Sequence, residues 1–315
     1  MKLQTQLPLE KQVPAINYHS KLVLLGSCFA ENIAEKFSYY KFPNKVNPLG
    51  VLFHPIAILE LLKRAHHNTP YTEKDVFFSN GCWQSFQAHS RLNSTSQSEI
   101  LKDLNTALKS TQNQLKTASH VFLTFGTAWV YEHIESKTIV ANCHKQPQKE
   151  FEKSILSIQQ LEDSFKTMLS ILKSFNSSVS VVCSISPVRH LKDGFVENNQ
   201  SKAHLIAALH SVINTTKNMH YFPSYELVMD ELRDYRFYKK DMVHPNPIAV
   251  DYIWGKFKSV WIHAETNSIM EEVNQLQKGF AHKPFNPSAP EHLTFLSTLT
   301  KKAQVLETRF PFMKF

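Results

Sequence analysis

Short apolar runs that end near a glycine or a proline alternate along the chain with longer amphipathic segments. The first run, residues 22–27, is followed by apolar residues at helical spacing over residues 28–39. Further apolar runs cover residues 120–131, 179–190 and 219–228. A continuous apolar run is typical of a strand that is buried on both faces. The pattern therefore predicts four buried strands separated by helices.

The amphipathic segments between these runs predict the helices. Pro55 and Pro247 stand where the first turn of a helix accepts proline. Residues 41–55 contain prolines and a glycine and predict a loop, whereas residues 137–147 predict a short strand that leads into a polar loop. Helices are predicted over residues 28–39, 55–65, 97–118, 158–175, 199–217 and 247–263.

Alternating strands and helices indicate parallel strands joined by crossover helices. We therefore expect an α/β domain with a mostly parallel sheet over residues 1–263, with a hairpin or small inserted lobe at residues 68–96. Residues 264–315 predict helices around a proline-rich break, which we expect to pack on that domain as an extension. Sheets of this kind place their active sites at the carboxyl ends of the strands.

Composition and charge narrow the classes of function. The net charge is +8, but the lysines are spread along the 315 residues, so we expect a mildly basic soluble protein without a nucleic-acid partner. The chain start lacks the apolar region of a secretory signal and no run could span a bilayer, so we expect a cytoplasmic location and no membrane partner. The four cysteines form no C-x-x-C pair, and the H-E-x-x-H, Walker and G-x-G-x-x-G motifs do not occur, so neither a metal nor a cofactor is predicted.

Ser27 follows Gly26 at the end of the first predicted strand and precedes a predicted helix. A serine there presents its hydroxyl at the carboxyl edge of the sheet, and its own N–H is a candidate oxyanion donor. Serine is also a preferred N-cap residue, so a purely structural role is the alternative. The segment differs from the G-x-S-x-G elbow of α/β-hydrolases, because Cys28 and Phe29 follow the serine.

Asp241 and His244 lie three residues apart in a loop before a predicted helix. A serine nucleophile needs a histidine base that is itself oriented by a carboxylate, and an Asp-x-x-His turn supplies both groups. Alone the pair is equally typical of capping, whereas with a strand-end serine it forms a coherent triad hypothesis.

Other polar residues past the predicted strands are candidates for the same pocket. Gly50 would let the backbone approach a ligand and donate a second oxyanion N–H. Thr127 would line the pocket, Asn142 could bind an oxyanion, and His144 could bind substrate or act as a second base. Arg189 offers a fork for carboxylate, phosphate or sugar hydroxyls.

Two further residues, Arg233 and Asp234, are interpreted as members of a structural Asp–Arg network rather than as part of the site.

Together these segments resemble the GSCFA-domain family, which is named for the residues at 26–30. Matching segments cover about residues 20–260 in order; they are NPLG at 47–50, TFGTAWVY at 124–131, NCHKQP at 142–147, SPVRH at 186–190, YFPSYE at 221–226, RDYRFY at 233–238 and DMVHP at 241–245. The family is related to the SGNH/GDSL hydrolases, whose flavodoxin-like α/β/α fold hosts esterases and acetyltransferases. The resemblance therefore implies that fold here.

The resemblance also implies Ser27 as nucleophile, Asp241 and His244 as its partners, and Gly50 as an oxyanion donor. The chain departs from the superfamily pattern at two places. The first motif has GSC where GDS is usual, and Gly126 is not followed by the asparagine of G-x-N-D. Asn142 or Thr127 would have to replace that asparagine.

Three hypotheses follow from these residues. The first is a serine-dependent esterase, or an acyltransferase with the same site, acting on a small-molecule or carbohydrate acyl ester. The second is a non-catalytic glycan-binding protein whose pocket includes Trp129, Tyr131, His144 and Arg189. The third, motivated by the net charge of +8 alone, is phosphodiester chemistry or nucleic-acid binding.

Overall fold

A computed structural model of the chain describes residues 4–315 as strands and helices in alternation. The strands are β1 (Leu22–Gly26), β2 (Asn44–Val46), β3 (Phe77–Ser79), β4 (Cys82–Gln84), β5 (His120–Phe125), β6 (Trp129–His133), β7 (Thr138–Val140), β8 (Phe151–Ile155), β9 (Ser180–Ile185) and β10 (Met219–Tyr221). The helices are α1 (Cys28–Tyr39), α2 (Pro55–His67), α3 (Gln97–Leu115), α4 (Ile158–Phe175), α5 (Phe195–Asn214), α6 (Ser224–Glu226), α7 (Pro247–Trp261), α8 (Asn267–Ala281) and α9 (Pro290–Arg309).

Five parallel strands form the central sheet in the order β10-β9-β5-β1-β2. When only these five strands are numbered along the chain, the order is 2-1-3-4-5, which is that of flavodoxin-like sheets. In register, Leu24 lies opposite Phe122, and Phe122 lies opposite Val182. The predicted α/β fold with a mostly parallel sheet is confirmed.

Successive side chains along each strand enter two separate hydrophobic cores, and each core packs one face of the sheet against a layer of helices. Val23 and Leu25 belong to the core on one face, which contains side chains of α2, α3, α4 and α5. Leu22 and Leu24 belong to the core on the other face, which contains side chains of α1, α7, α8 and α9. Because successive strand residues point to opposite faces, the continuous apolar runs of the sequence are the consequence of a sheet that is covered on both sides.

The run at residues 120–131 is two strands, which corrects the prediction of one. β5 ends at Phe125, and the Gly126 N–H then donates to Phe53 O at 2.6 Å instead of continuing the ladder. After this bend β6 pairs antiparallel with β7 and β8 in a second, three-stranded sheet. β8 was not predicted.

The prediction of one strand over residues 219–228 is also wrong beyond Tyr221. Pro223 follows β10, where it has no N–H for a ladder, and the short α6 begins at Ser224. Conversely, the predicted loop at residues 41–55 contains β2, whose three residues are too few to show a hydrophobic period.

Residues 68–96 contain the hairpin of β3 and β4. Its turn residues Asn80 and Gly81 both have positive φ, as a two-residue hairpin turn requires. Flanking side chains of Tyr71, Val76 and Ala88 are buried in the same core as α2 and α3. At the other end of the chain, α8 and α9 bury apolar side chains against the layer of α1 and α7. None of the helices in residues 4–315 is long and apolar enough to cross a membrane.

Replacing Gly26 with alanine should destabilise the protein by about 3 kcal/mol or more, since steric overlap and backbone strain add. Gly26 has φ +143°, and an added Cβ would lie 2.2 Å from Thr124 O. Gly255, in the exposed face of α7, is the matched control, because its added Cβ meets nothing within 4 Å. Gly255→Ala should stabilise by about 0.5–1 kcal/mol. Urea unfolding measures both, and equal effects of the two substitutions would contradict the account.

Candidate functional site

The candidate site lies at the carboxyl edge of the central sheet between β1 and β5. From β1 the chain continues to β2 on one side, and it returns to β5 on the other side. In doubly wound sheets, a crevice forms where the strand order reverses in this way, and ligands bind there. Ser27 follows β1 and Gly126 follows β5, so both residues lie at this reversal.

Ser27 is the N-cap of α1. Its Oγ accepts the Phe29 N–H at 3.3 Å, and its own N–H donates to Thr124 O at 3.0 Å, which extends the ladder between β1 and β5. The side chain is nearly buried, with 2% of the residue exposed. The cap and the strand end therefore fix the hydroxyl at the edge of the sheet, while the N–H that was predicted to bind an oxyanion already has an acceptor.

Gly50 occupies a tight loop that follows β2. Its φ is +81°, its N–H donates to Asn47 O at 2.8 Å, and an added Cβ would lie 2.2 Å from the Cβ of His89. Both backbone N–H groups predicted for the oxyanion hole are thus bonded to carbonyls. Their role as oxyanion donors stays a prediction.

Asp241 and His244 form the pair that the sequence predicts. Asp241 Oδ2 lies 2.8 Å from His244 Nδ1, while Oδ1 accepts the N–H groups of Val243 and His244, each at 2.9 Å. These three hydrogen bonds hold the pKa of Asp241 down to about 2. The carboxylate therefore stays ionised and fixes the histidine tautomer, which leaves His244 Nε2 for another partner.

Cys28 follows Ser27, and Lys239 belongs to the loop of Asp241 and His244. Burial and the Glu31 carboxylate raise the pKa of the Cys28 thiol, and the Lys239 ammonium opposes them. The Lys239 N–H in turn donates to His244 O at 2.7 Å. The hydrogen bonds within residues 4–315 include none between Ser27 Oγ and His244. Catalytic hydrogen bonds are often longer in unliganded enzymes than in the substrate complex.

Lys202 lies beneath this edge and links β5 to β9. Only 1% of the residue is exposed, and its Nζ donates to Gly126 O at 2.6 Å and to Ser186 O at 2.7 Å. Burial, together with the positive charge of Arg189, lowers its pKa to about 7. A neutral amine keeps two N–H donors, so both hydrogen bonds survive deprotonation.

His190 is a second base at this edge, and its side chain is half-buried. An added Cβ on Gly126 would lie 2.8 Å from His190 Nε2, so the absence of a side chain at residue 126 makes room for the ring. Burial, followed by the charges of Lys202 and His244, lowers the pKa of His190 to about 4. His190 is therefore neutral near pH 7.

Thr127 and Trp129 begin the bend into the second sheet. Thr127 is 2% exposed, and its Oγ1 lies 2.9 Å from Ser201 Oγ and accepts the Trp129 N–H at 3.0 Å. Trp129 Nε1 donates to Glu197 O at 3.1 Å, and the Lys153 ammonium lies 4.7 Å from its ring centroid. Thr127 thus holds the bend together, while Trp129 is half-buried.

Asn142 and His144 pack against the segment after β4 rather than against Ser27. Nε2 of the buried His144 lies 2.7 Å from Ser85 O and 3.1 Å from Ala88 O, and Asn142 Oδ1 accepts the His144 N–H at 2.8 Å. Both side chains have hydrogen-bond partners in their own region, and among the described residues neither forms a hydrogen bond with Ser27. Their predicted oxyanion and substrate roles stay predictions.

Arg189 lies in a cleft of about 340 Å³ that Asp241 also lines. The structure therefore brings Arg189 and the carboxylate of the predicted triad to one surface. Asp234 lies 2.8 Å from Arg236, as a structural Asp–Arg network would require. Arg233 has no carboxylate within 4.0 Å in the described residues 4–315, so it is not part of that network.

The inner face of α5 carries a signal that would have identified Lys202. Asn198, Ser201, Lys202 and Leu205 are all buried and follow the i, i+3, i+4, i+7 spacing of one helix face. Three polar residues on the buried side of a helix require polar partners, and strand ends with bent backbones supply them. No group of three or more His, Cys, Asp or Glu within residues 4–315 is placed to hold a metal ion.

The pH dependence of stability should reveal the buried lysine. Between pH 7 and about 10 the unfolded chain keeps a proton that folded Lys202 has lost, so stability rises with pH. Lys202→Met should lack this rise, and the difference between the two unfolding free energies should change by on the order of 3 kcal/mol across that range. Lys301→Met, on the exposed side of α9, is the control. If urea unfolding gives free energies whose dependence on pH is the same for wild type and Lys202→Met, the lowered pKa of the buried lysine is contradicted.

Comparison with known proteins assigns the family. The model of the GSCFA family matches residues 21–257, and that of the GSCFA domain protein C-terminal domain matches residues 273–315. A Clostridium thermocellum family 3 carbohydrate esterase is similar in structure, with a TM-score of 0.34 and 10% identity over 80% of this chain and 97% of that chain. No curated protein matches the sequence. The extent of the family match shows that the chain belongs to the GSCFA family.

Proposed function

We propose that this protein is a serine-dependent acyl-ester hydrolase in which Ser27 is the nucleophile, His244 the general base and Asp241 the residue that orients the base. One observation carries the proposal. Asp241 Oδ2 lies 2.8 Å from His244 Nδ1, so a carboxylate orients this histidine. A histidine oriented in this way is the base that activates a serine hydroxyl, and Ser27 follows β1 at the reversal point of the sheet.

In the proposed reaction His244 Nε2 removes the proton from Ser27 Oγ as the oxygen attacks the ester carbonyl. The Oγ–carbon bond forms, the bond to the alcohol oxygen breaks, and His244 gives its proton to the departing alcohol. Water then attacks the acyl-serine with His244 again as base, which releases the acid and restores the serine. Asp241 stays ionised throughout, in keeping with its pKa of about 2.

The acyl acceptor determines whether the same site performs hydrolysis or transfer. If an alcohol of a carbohydrate replaces water in the second step, the enzyme is an O-acyltransferase. The substrate that we propose is a small-molecule or carbohydrate acyl ester, which rests on the resemblance of the family to SGNH/GDSL hydrolases.

A binding protein without catalysis is the second candidate function, and a specific observation favours it. The N–H groups of Ser27 and Gly50 both donate to backbone carbonyls, and Ser27 is 2% exposed. A site without free oxyanion donors loses a large part of the rate enhancement of acyl transfer. Stoichiometric labelling of Ser27 by a fluorophosphonate, read by mass spectrometry, would exclude this candidate, whereas an unlabelled protein would favour it.

Ser27→Ala should lower the hydrolysis of p-nitrophenyl acetate and of acetylated sugars by about 10⁴-fold or more, because the nucleophile is removed. Cys28→Ala is the matched control, since it removes the neighbouring nucleophilic side chain and leaves Ser27 in place. The control should retain activity within about threefold. Hydrolysis that persists in Ser27→Ala, or that disappears only in Cys28→Ala, would remove Ser27 from the mechanism.

A further inference from the structure

The cleft beside Asp241 is a candidate substrate pocket. Its volume is about 340 Å³, which is enough for a small organic ligand. Arg189 and Arg233 line it, together with two tyrosine rings. Asp241 forms part of the wall, so a ligand in the cleft lies next to the carboxylate that orients the proposed general base.

The acidic side chains in the cleft wall have partners of their own. Asp234 accepts from the N–H and from Nη2 of Arg236, both at 2.8 Å. Asp241 accepts from the N–H groups of Val243 and His244 and pairs with the His244 ring. Asp234 is thus paired with a cation, whereas Asp241 uses its oxygens to accept hydrogen bonds within its own loop.

Within residues 4–315, the two arginines in the wall have no carboxylate partner. Arg189 Nη1 donates to Asn199 Oδ1 at 2.9 Å and Nη2 to Met229 Sδ at 3.2 Å, and both acceptors are neutral. Over the described residues 4–315, no carboxylate lies within 4.0 Å of a side-chain nitrogen of Arg189 or Arg233. Arg189 is therefore held in place by neutral groups while its charge remains available to a ligand.

The charge of Arg189 acts on Tyr238, which also lines the cleft. Burial raises the pKa of Tyr238, and the nearby guanidinium of Arg189 opposes this rise. Leu191, Phe195 and Met242 add exposed apolar surface, with 37%, 66% and 54% of each residue accessible. The cleft thus combines two guanidinium groups that lack carboxylate partners within residues 4–315 with an apolar wall.

We infer that the ester hydrolysed by this protein carries an anionic group, a carboxylate or a phosphate, and that Arg189 and Arg233 bind it. Guanidinium forks recognise both groups through paired, charge-assisted hydrogen bonds. The apolar side chains would contact the hydrocarbon that joins the anion to the ester. The choice of substrate class rests on the proposed function, whereas the anion site rests on the cleft alone.

The test measures ligand binding in the full-length Ser27→Ala protein, where no turnover interferes. Calorimetric titration compares benzoate and phenyl phosphate with neutral benzyl alcohol. At least one of the two anions should bind about tenfold more tightly than the alcohol, and Arg189→Gln should abolish that preference. The anion that responds more strongly identifies the group as carboxylate or phosphate.

Two further variants keep the test decisive. Arg233→Gln changes an exposed side chain and should weaken anion binding by about threefold. This variant provides the test if Arg189→Gln fails to fold. Arg309→Gln removes the same charge from the exposed end of α9 and should leave binding unchanged. Equal affinity for anions and alcohol, or an anion preference that survives both cleft substitutions, would overturn the inference.

The two proposals fail in distinguishable ways. If wild type hydrolyses neutral acetyl esters and shows no anion preference, the esterase proposal is supported and the anion site is contradicted. If anion binding depends on Arg189 and no ester is hydrolysed, the anion site is supported and the esterase proposal is contradicted.

Discussion

The close approach of the β1 and β5 backbones at Gly26 is the constraint on which the candidate site depends. The Gly26 N–H donates to Asn47 Oδ1 at 2.8 Å, and its carbonyl accepts the Leu52 N–H at 3.1 Å. Its Cα lies where a side chain would overlap Thr124. One residue without a side chain therefore joins the serine turn, the loop of Gly50 and the end of β5, and it allows Ser27 to cap α1 at the reversal point of the sheet.

Burying the polar groups around Gly26 costs free energy, and hydrogen bonds within the fold must offset that cost. Lys202 is buried and paired only with carbonyls, and burial keeps His54 and His190 neutral, each with a pKa of about 4. Buried groups of this kind are stable only when each donor finds an acceptor. His54 meets this requirement by capping α2 through Nδ1 and by lying 3.0 Å from Val140 O through Nε2. The edge of the sheet is thus an ordered polar surface.

Local patterns in the sequence predicted the elements that have strong signals of their own. α1 and α4 have their predicted bounds because Ser27 and Ser157 cap them and their apolar faces repeat at helical spacing. The prediction of a single strand over residues 120–131 was wrong because Gly126 bonds to Phe53, a residue that is distant in sequence. Likewise, the buried state of His144 depends on carbonyls of Ser85 and Ala88, which no local pattern encodes. The Asp241–His244 contact was predictable because three residues separate the partners.

Our central proposal is that Ser27, at the reversal point of the sheet, and His244 act together in acyl transfer. A crystal structure of the protein after reaction with a fluorophosphonate tests it most directly. The account predicts a phosphorus–oxygen bond to Ser27 Oγ, with His244 Nε2 within about 3 Å of an oxygen of the adduct. Phosphorus on another residue, an unmodified Ser27, or a His244 ring farther from the adduct than one bridging water would contradict it.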